Sequence, residues 1–418
     1  MPFPRMMRVK QHFEAPVVDD IPATIRAEVA KLGLADKVKP GQTVAISVGS
    51  RGIHQIALII KTVVDQMRAL GAEPFAVPAM GSHGGGTAAG QRSIIESYGV
   101  TEEYIGAPIK SSMEVVQVGE TEDGVPVYFD RHAYEADHVV VVGRVKPHTG
   151  FTGEIESGLH KMMLIVLGKH KGALLYHQAI VHYSFGRIIR SVGQTVIDKC
   201  GILFGLAIVE NQSDTTALLE AVAPADFVAR EKELLVLAKE WMPRLPFDRA
   251  DLLIIDRIGK DISGAGLDNN VVGRKYHTHE PSDEELPRIT RIVVRGLTEA
   301  THGNASGIGT ADYCHKRVVD EMDVEATNIN CITGNAPAGA QIPINYDTDR
   351  ELVATALSTV GLVEAGQEKV LRIHDTLDVG ELLVSEAYLS AVEERDDLEI
   401  LEPATDMTFD AKGDLLEF

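Results

Sequence analysis

The sequence predicts an α/β protein: two α/β domains with largely parallel sheets and an active-site cleft between them. Three observations carry this. Short apolar runs alternate with amphipathic stretches along the chain, as strand–helix units do. The polar, glycine-rich motifs fall directly after predicted strands, where ligands collect in open parallel sheets. Of the 418 residues, 44% are hydrophobic and 24% charged, the balance of a globular chain long enough for two domains.

In order, TVAISV (43–48) reads as a buried strand and Ile53 to Leu70 as an amphipathic helix. FAVPAM (75–80) is the next strand, followed by a helix from Thr87 to Tyr98. DHVVVVG (137–143) and GILFGLAIVE (201–210) are further strands, with helices expected over 158–168 and 183–198. A polar-edged helix over 225–241 runs into MPRLPF, where two prolines end it. DLLIID (251–256) then opens a second α/β series that continues through RIVVRGL (291–297). The boundary is expected near 242–250, giving domains 1–245 and 250–418. The segment from Leu398 can pair with either domain.

Lys and Arg total 40 against 61 for Asp and Glu, a net charge of −21. Such a chain is a poor partner for nucleic acid, and an anionic small substrate would need a local basic pocket. Cys200, Cys314 and Cys331 are widely spaced, which argues against a disulfide framework, a zinc site or an iron–sulfur cluster. Neither a leader-like apolar run at the start nor a run of about 18 apolar residues occurs, so a cytoplasmic protein without membrane contact is expected.

Between Arg144 and His182 lie His148, His160, His170, His177 and His182, five of the fifteen histidines, with Lys146, Lys161, Lys169 and Lys171. A basic pocket in an acidic protein is the expectation. GSHGGGTAAGQ (81–91) puts His83 in a glycine turn that can bring amide groups to an anion, without the lysine of a Walker loop. In SVGSRG (47–52), Arg51 can make a forked contact with a carboxylate. The loop 256–281 carries Lys260, Asp268, Asn269, Asn270, Arg274 and Lys275, and its His277 and His279 are weak candidates for metal ligands. No GxSxG elbow, HExxH helix or catalytic cysteine signature is present.

Taken together, these residues resemble the nickel-pincer lactate racemases and their homologues. Arg51 precedes His83 by 32 residues, His148 sits in KPHTGFTG, Lys161 in ESGLHKMM, and His177 follows that lysine by 16. The family has an arginine, a histidine, a second histidine, a lysine and a third histidine in this order. The likeness is strongest from Gly49 to His182 and weaker beyond Asp256.

The resemblance implies a 2-hydroxyacid racemase or epimerase. Its cofactor would be the nickel-pincer nucleotide, a pyridinium-3-thioamide-5-thiocarboxylic acid mononucleotide, attached through Lys161. His177 would be the protein ligand to nickel, for which imidazole is suited. His83 and His148 would be the acid–base pair, one for each enantiomer, and Arg51 would orient the carboxylate. Ser50, Gly84 and Gly85 are the expected cofactor-side contacts, and proteins that make the cofactor are the expected partners.

Two departures bear on the substrate. Val272, Gly273 and Tyr276 stand where the lactate enzymes carry a tyrosine, a glutamine and a lysine, and the lysine loop is less glycine-rich. Arg274, Lys275 and Asn269 would then serve a substrate more polar than lactate, such as a sugar acid or malate. One rival is a metal-dependent dehydratase or hydrolase using His148, His177 and Glu154 or Glu156. Another is a two-domain module that binds a small anion without turning it over.

Overall fold

The computed structural model describes residues 2–50, 52–180, 182–275 and 286–418, with the backbone alone at His177. The chain divides into two compact units. The first is Ala15–His148 with Thr152–Met242, and the second is Met1–Glu14, Thr149–Phe151 and Pro243–Phe418.

After β1 (Met6–Gln11), a strand of the second unit, the chain builds the first unit. Its strands are β2 (Thr43–Val48), β3 (Glu73–Pro78), β4 (Val115–Glu120), β5 (Pro126–Asp130), β6 (His138–Arg144), β7 (Ile202–Glu210) and β8 (Thr216–Val222). The main sheet has the order β3-β2-β6-β7-β8, all parallel except β8, and β4 pairs with β5 in a hairpin.

The two faces of that sheet differ. One carries Val44, Ile46, Val48, Val140, Val142, Phe204, Leu206 and Ile208. It packs on α1 (Ile21–Lys31) and α2 (Ile56–Ala69), whose apolar stripes include Ile25, Val29, Ile59, Ile60, Val63 and Met67. Asp20 caps α1 by accepting from the Ala23 amide, and Thr87 caps α3 (Ala88–Ser97) by accepting from Gly90. The other face bears small residues, Ala45, Ser47, Gly49, Gly143, Gly205 and Ala207, and it receives the segment that carries Lys161.

The second unit continues with β9 (Arg249–Ile255), β10 (Arg288–Val294), β11 (Tyr313–His315), β12 (Ile344–Tyr346), β13 (Val370–Ile373), β14 (Glu381–Ser385) and β15 (Leu398–Thr405). With β1 they form one sheet in the order β12-β11-β10-β9-β13-β14-β1-β15. Strands β9 to β13 are mutually parallel, and β14, β1 and β15 add antiparallel neighbours. The segment from Leu398 therefore pairs with the N-terminal strand, in the second unit. Its core gathers Leu252, Ile254, Val293, Leu352, Val353 and Val370.

The expected strands at 43–48, 75–80, 137–143 and 201–210 are present within two residues. The hairpin β4–β5, β1 and β8 were not expected. The helix expected over 158–168 is interrupted: Leu159–Lys161 is one α-turn, Met162–Val166 is a π-turn, and a new helix runs over Lys169–Ala179. Among the described residues, no helix is long and apolar enough to cross a membrane.

Candidate active site

Strand order fixes where a ligand would enter the first unit. From β2 the chain goes to β3 on one side and later to β6 on the other, so the topological switch lies between β2 and β6. The backbone ladder between these strands ends at the pair Ile46–Val140. Beyond it Ser47 Oγ accepts the Val142 amide at 2.9 Å, replacing a backbone bond with a side-chain one. The strands part there, and the loops bearing Ser50, His83 and His148 leave the carboxyl ends of β2, β3 and β6.

Segment 159–166 is laid across this edge at glycines. A Cβ on Gly205 would come within 2.5 Å of Leu159 Cδ1, and one on Gly143 within 2.7 Å of Met162 Cγ. Met162 also reaches to 3.7 Å of the Cβ position of Gly49, and the Ile165 carbonyl to 3.4 Å of that of Gly81. Residues 159, 162 and 165 thus rest in turn on β7, on β6 and β2, and on the end of β3. Any side chain at Gly143 or Gly205 would lift the segment from the sheet. Lys161, half-buried, is held between these contacts, at the junction with a π-turn, a distortion frequent at functional sites.

His83 stands at the start of a left-handed glycine turn, with φ of 66°, 66° and 63° at Gly84, Gly85 and Gly86. Gly84 is required twice, because a Cβ there would also lie 2.6 Å from the Gln91 nitrogen. Nothing lies within 4 Å of the Cβ position of Gly85. The Nδ1 of His83 is 2.5 Å from Ser50 Oγ, and the Tyr98 hydroxyl donates to the Ser50 carbonyl at 2.8 Å. Beneath the turn, the Gln91 amide donates to the carbonyls of Gly81 (2.9 Å) and His83 (3.4 Å).

Gln91 is itself held by Lys169. That ammonium donates to Gln91 Oε1 at 3.2 Å and to the Pro78 carbonyl at 2.5 Å, and it pairs with Asp130 at 3.1 Å. Lys169 and Asp130 are fully buried. Burial lowers the Lys169 pKa, against the opposing pull of Asp130.

This corrects the expectation of an open basic pocket over 144–182. Lys169 is a core residue, Arg144 pairs with Glu210, Lys171 lies over the Tyr128 ring, and His160 pairs with Glu231 in the interior. A lysine inside the core has the same sequence signature as one on the surface, so the segment's composition could not reveal it.

His148 is placed by its backbone. Its amide donates to Glu156 Oε2 at 2.8 Å, and its ring lies 6.2 Å from that of Phe185. Glu156 is buried and Lys239 pairs with it at 2.7 Å, whereas Glu154 is exposed between Arg190 (3.0 Å) and Lys232 (2.7 Å). Both carboxylates have cationic partners of their own.

The second unit treats its candidates differently. Arg274, expected to meet substrate, is fully buried: it donates to the carbonyls of Thr310, Ile289 and Thr290 and pairs with Asp312 at 2.9 Å. Asn269 is also fully buried, donating to the Arg274 carbonyl. Both are structural side chains of this unit. Lys275 is buried, 3.5 Å from the Phe151 carbonyl. Arg51, Tyr276, His277, His279 and the side chain of His177 lie outside the described residues.

His315, Asp349 and Asp414 also come close enough to suggest an ion. The Nδ1 of His315 accepts the Arg317 amide, so Nε2 carries the hydrogen and donates it to Asp414. With Arg295 and Arg317 neutralising the acids, the cluster is a hydrogen-bonded cap rather than a ligand set.

Residues 6–185 match the family model for the lactate racemase N-terminal domain. The lactate racemase apoprotein from Thermoanaerobacterium thermosaccharolyticum superposes with a TM-score of 0.54 at 11% identity, covering 90% of this chain and 99% of that one. A protein from Thermotoga maritima gives 0.48 at 12% identity, covering 77% and 83%. No curated protein matches in sequence. At 11% identity the first of these superpositions establishes fold alone. The likeness to the lactate racemases thus lies in residues 6–185, which match their N-terminal domain, and in a shared fold.

Proposed function

We propose that this protein is a racemase or epimerase that inverts C2 of a 2-hydroxyacid, working with a nickel-pincer nucleotide tethered to Lys161. The observation that carries the reading is the switch point between β2 and β6: Ser50, His83 and His148 lie on loops that leave the carboxyl ends of β2, β3 and β6, and Lys161 lies on the segment laid across β6, all within the residues that the family domain matches.

The residues fit the group. Lys161 is a half-buried lysine on the segment laid across β6, and the glycine turn, open at Gly85, offers backbone amides of the kind that suit a phosphate. His177 supplies the imidazole for nickel by its position in the sequence. When bound, the group would serve as the hydride acceptor and donor of the reaction.

The chain's own residues would handle substrate and protons. Ser50 Oγ, 2.5 Å from Nδ1 of His83, holds the ring, and with Nδ1–H donating to it Nε2 would be the base for the substrate hydroxyl. His148, on a separate loop, gives the second base that two enantiomers require. Arg51, three residues beyond β2 in the sequence, suits the C1 carboxylate. The engagement of Glu154 and Glu156 by lysines and arginine weighs against a dehydratase or hydrolase that uses either as a metal ligand. A substrate more polar than lactate now rests on Lys275 alone, since Asn269 and Arg274 have structural partners.

The test is expression together with proteins that make the cofactor, followed by intact mass, nickel content and racemisation assays on lactate, malate and gluconate-type acids. Added mass on Lys161, bound nickel and interconversion of enantiomers are expected. Loaded protein that inverts no 2-hydroxyacid would overturn the reading.

A further inference from the structure

The loop that carries His148 is stapled to a helix distant in sequence. That helix, Phe227–Trp241, presents Lys232 and Lys239, seven residues and two turns apart, on one side. Lys232 pairs with Glu154 at 2.7 Å and Lys239 with Glu156 at 2.7 Å. The staples differ in setting. Glu154 is 60% exposed, so its pair is weak, whereas Glu156 is fully buried.

Each oxygen of Glu156 ties down the loop. Oε2 accepts the His148 amide at 2.8 Å, and Oε1 accepts the Gly153 amide at 3.2 Å along with the Lys239 ammonium. A buried carboxylate is retained in such a position only with a countercharge. Lys239 supplies one while keeping 42% of its own side chain in solvent. Its substitution removes charge without opening a core cavity.

Resting on the racemase reading, we infer that Lys239 is a positioning residue for the reaction, holding His148 in place through Glu156. Catalysis by a side-chain base depends on placement to a fraction of an ångström, and a base on an untied loop loses that placement before it loses substrate affinity.

The test compares Lys239→Met and Lys239→Arg, with Lys232→Met as the exposed control. In the cofactor-free protein, amide exchange at His148 and Gly153 should quicken at least tenfold in Lys239→Met, recover in Lys239→Arg and stay unchanged in Lys232→Met. In the loaded enzyme, Lys239→Met should lower kcat about tenfold or more with KM within twofold, and Lys239→Arg should restore it. Unchanged exchange in Lys239→Met, or wild-type kcat despite faster exchange, overturns the inference. If loaded wild-type protein inverts no hydroxyacid, the racemase reading falls separately, and the exchange measurement still decides whether Lys239 holds the loop.

Discussion

The hydroxyl of Ser50 lies 2.5 Å from Nδ1 of His83, joining the loop after β2 to the loop after β3. Neither residue is near the other in sequence, and the Tyr98 hydroxyl steadies the backbone of Ser50. Ser50→Ala removes the hydroxyl that holds the ring of His83. A loss of about 1–1.5 kcal/mol, roughly tenfold in kcat, is expected, with Ser50→Thr close to wild type. Wild-type kcat in Ser50→Ala would show that the contact does not serve the chemistry.

Lys161→Ala should abolish covalent attachment of the cofactor and all activity while the protein still melts cooperatively. The side chain is half-buried, and the packing of its segment comes from Leu159, Met162 and Ile165 instead. Intact mass measures this directly. Added cofactor mass that persists in the variant would move the tether elsewhere.

His177→Ala should lose nickel and retain the organic part of the cofactor, because His177 is the proposed protein ligand to the metal. Metal quantification on loaded protein checks it. Full nickel content in the variant would point to another ligand, with His170, His182 and His279 the next to substitute.

Arg274→Ala should act on stability and not on substrate choice. Removing a fully buried guanidinium deprives Asp312 of its cation and takes a donor from the carbonyls of Thr310, Ile289 and Thr290, which costs about 3–5 kcal/mol. Denaturant unfolding measures the loss, and relative rates on lactate and malate should be unaltered. A changed substrate preference at wild-type stability would return Arg274 to the substrate side.

The protein should lose stability as pH rises above about 9. Burial pushes the thiols of Cys200 and Cys314 and the phenol of Tyr176 up to about 12. The folded state keeps these protons at pH values where the unfolded chain has released them. This contribution is complete below about pH 9 for the thiols and about pH 10 for the phenol, and it is lost as pH climbs towards 12. Each group weakens the fold by about 1.4 kcal/mol per pH unit across its window. Unfolding titrations between pH 8 and 11 should give a slope that Cys200→Ala makes shallower, and an unchanged slope would remove Cys200 from the account.

Periodicity alone determined the parallel strands β2, β3, β6 and β7 and the first two of the second unit, β9 and β10, because a buried parallel strand is a continuous apolar run whatever surrounds it; β11, β12 and β13, of three or four residues, are too short for such a run. The ordered set His83, His148, Lys161 and His177 is likewise a reading of chemical types at fixed separations, and the roles given to it are proposals. Tertiary structure alone decided which charged residues are buried against partners. Arg274 and Lys169 look like surface cations in a polar stretch, yet each is buried against an acid that pairs with it from elsewhere in the chain, Asp312 and Asp130. The glycines at 143 and 205 read as unremarkable strand residues, and only the segment laid over them explains their size. Partners such as Ser50 with His83, Glu231 with His160 and Lys239 with Glu156 are 33, 71 and 83 residues apart. Local pattern carries no information over such separations. Composition and spacing fix what a residue can do, and the fold fixes which partner occupies it.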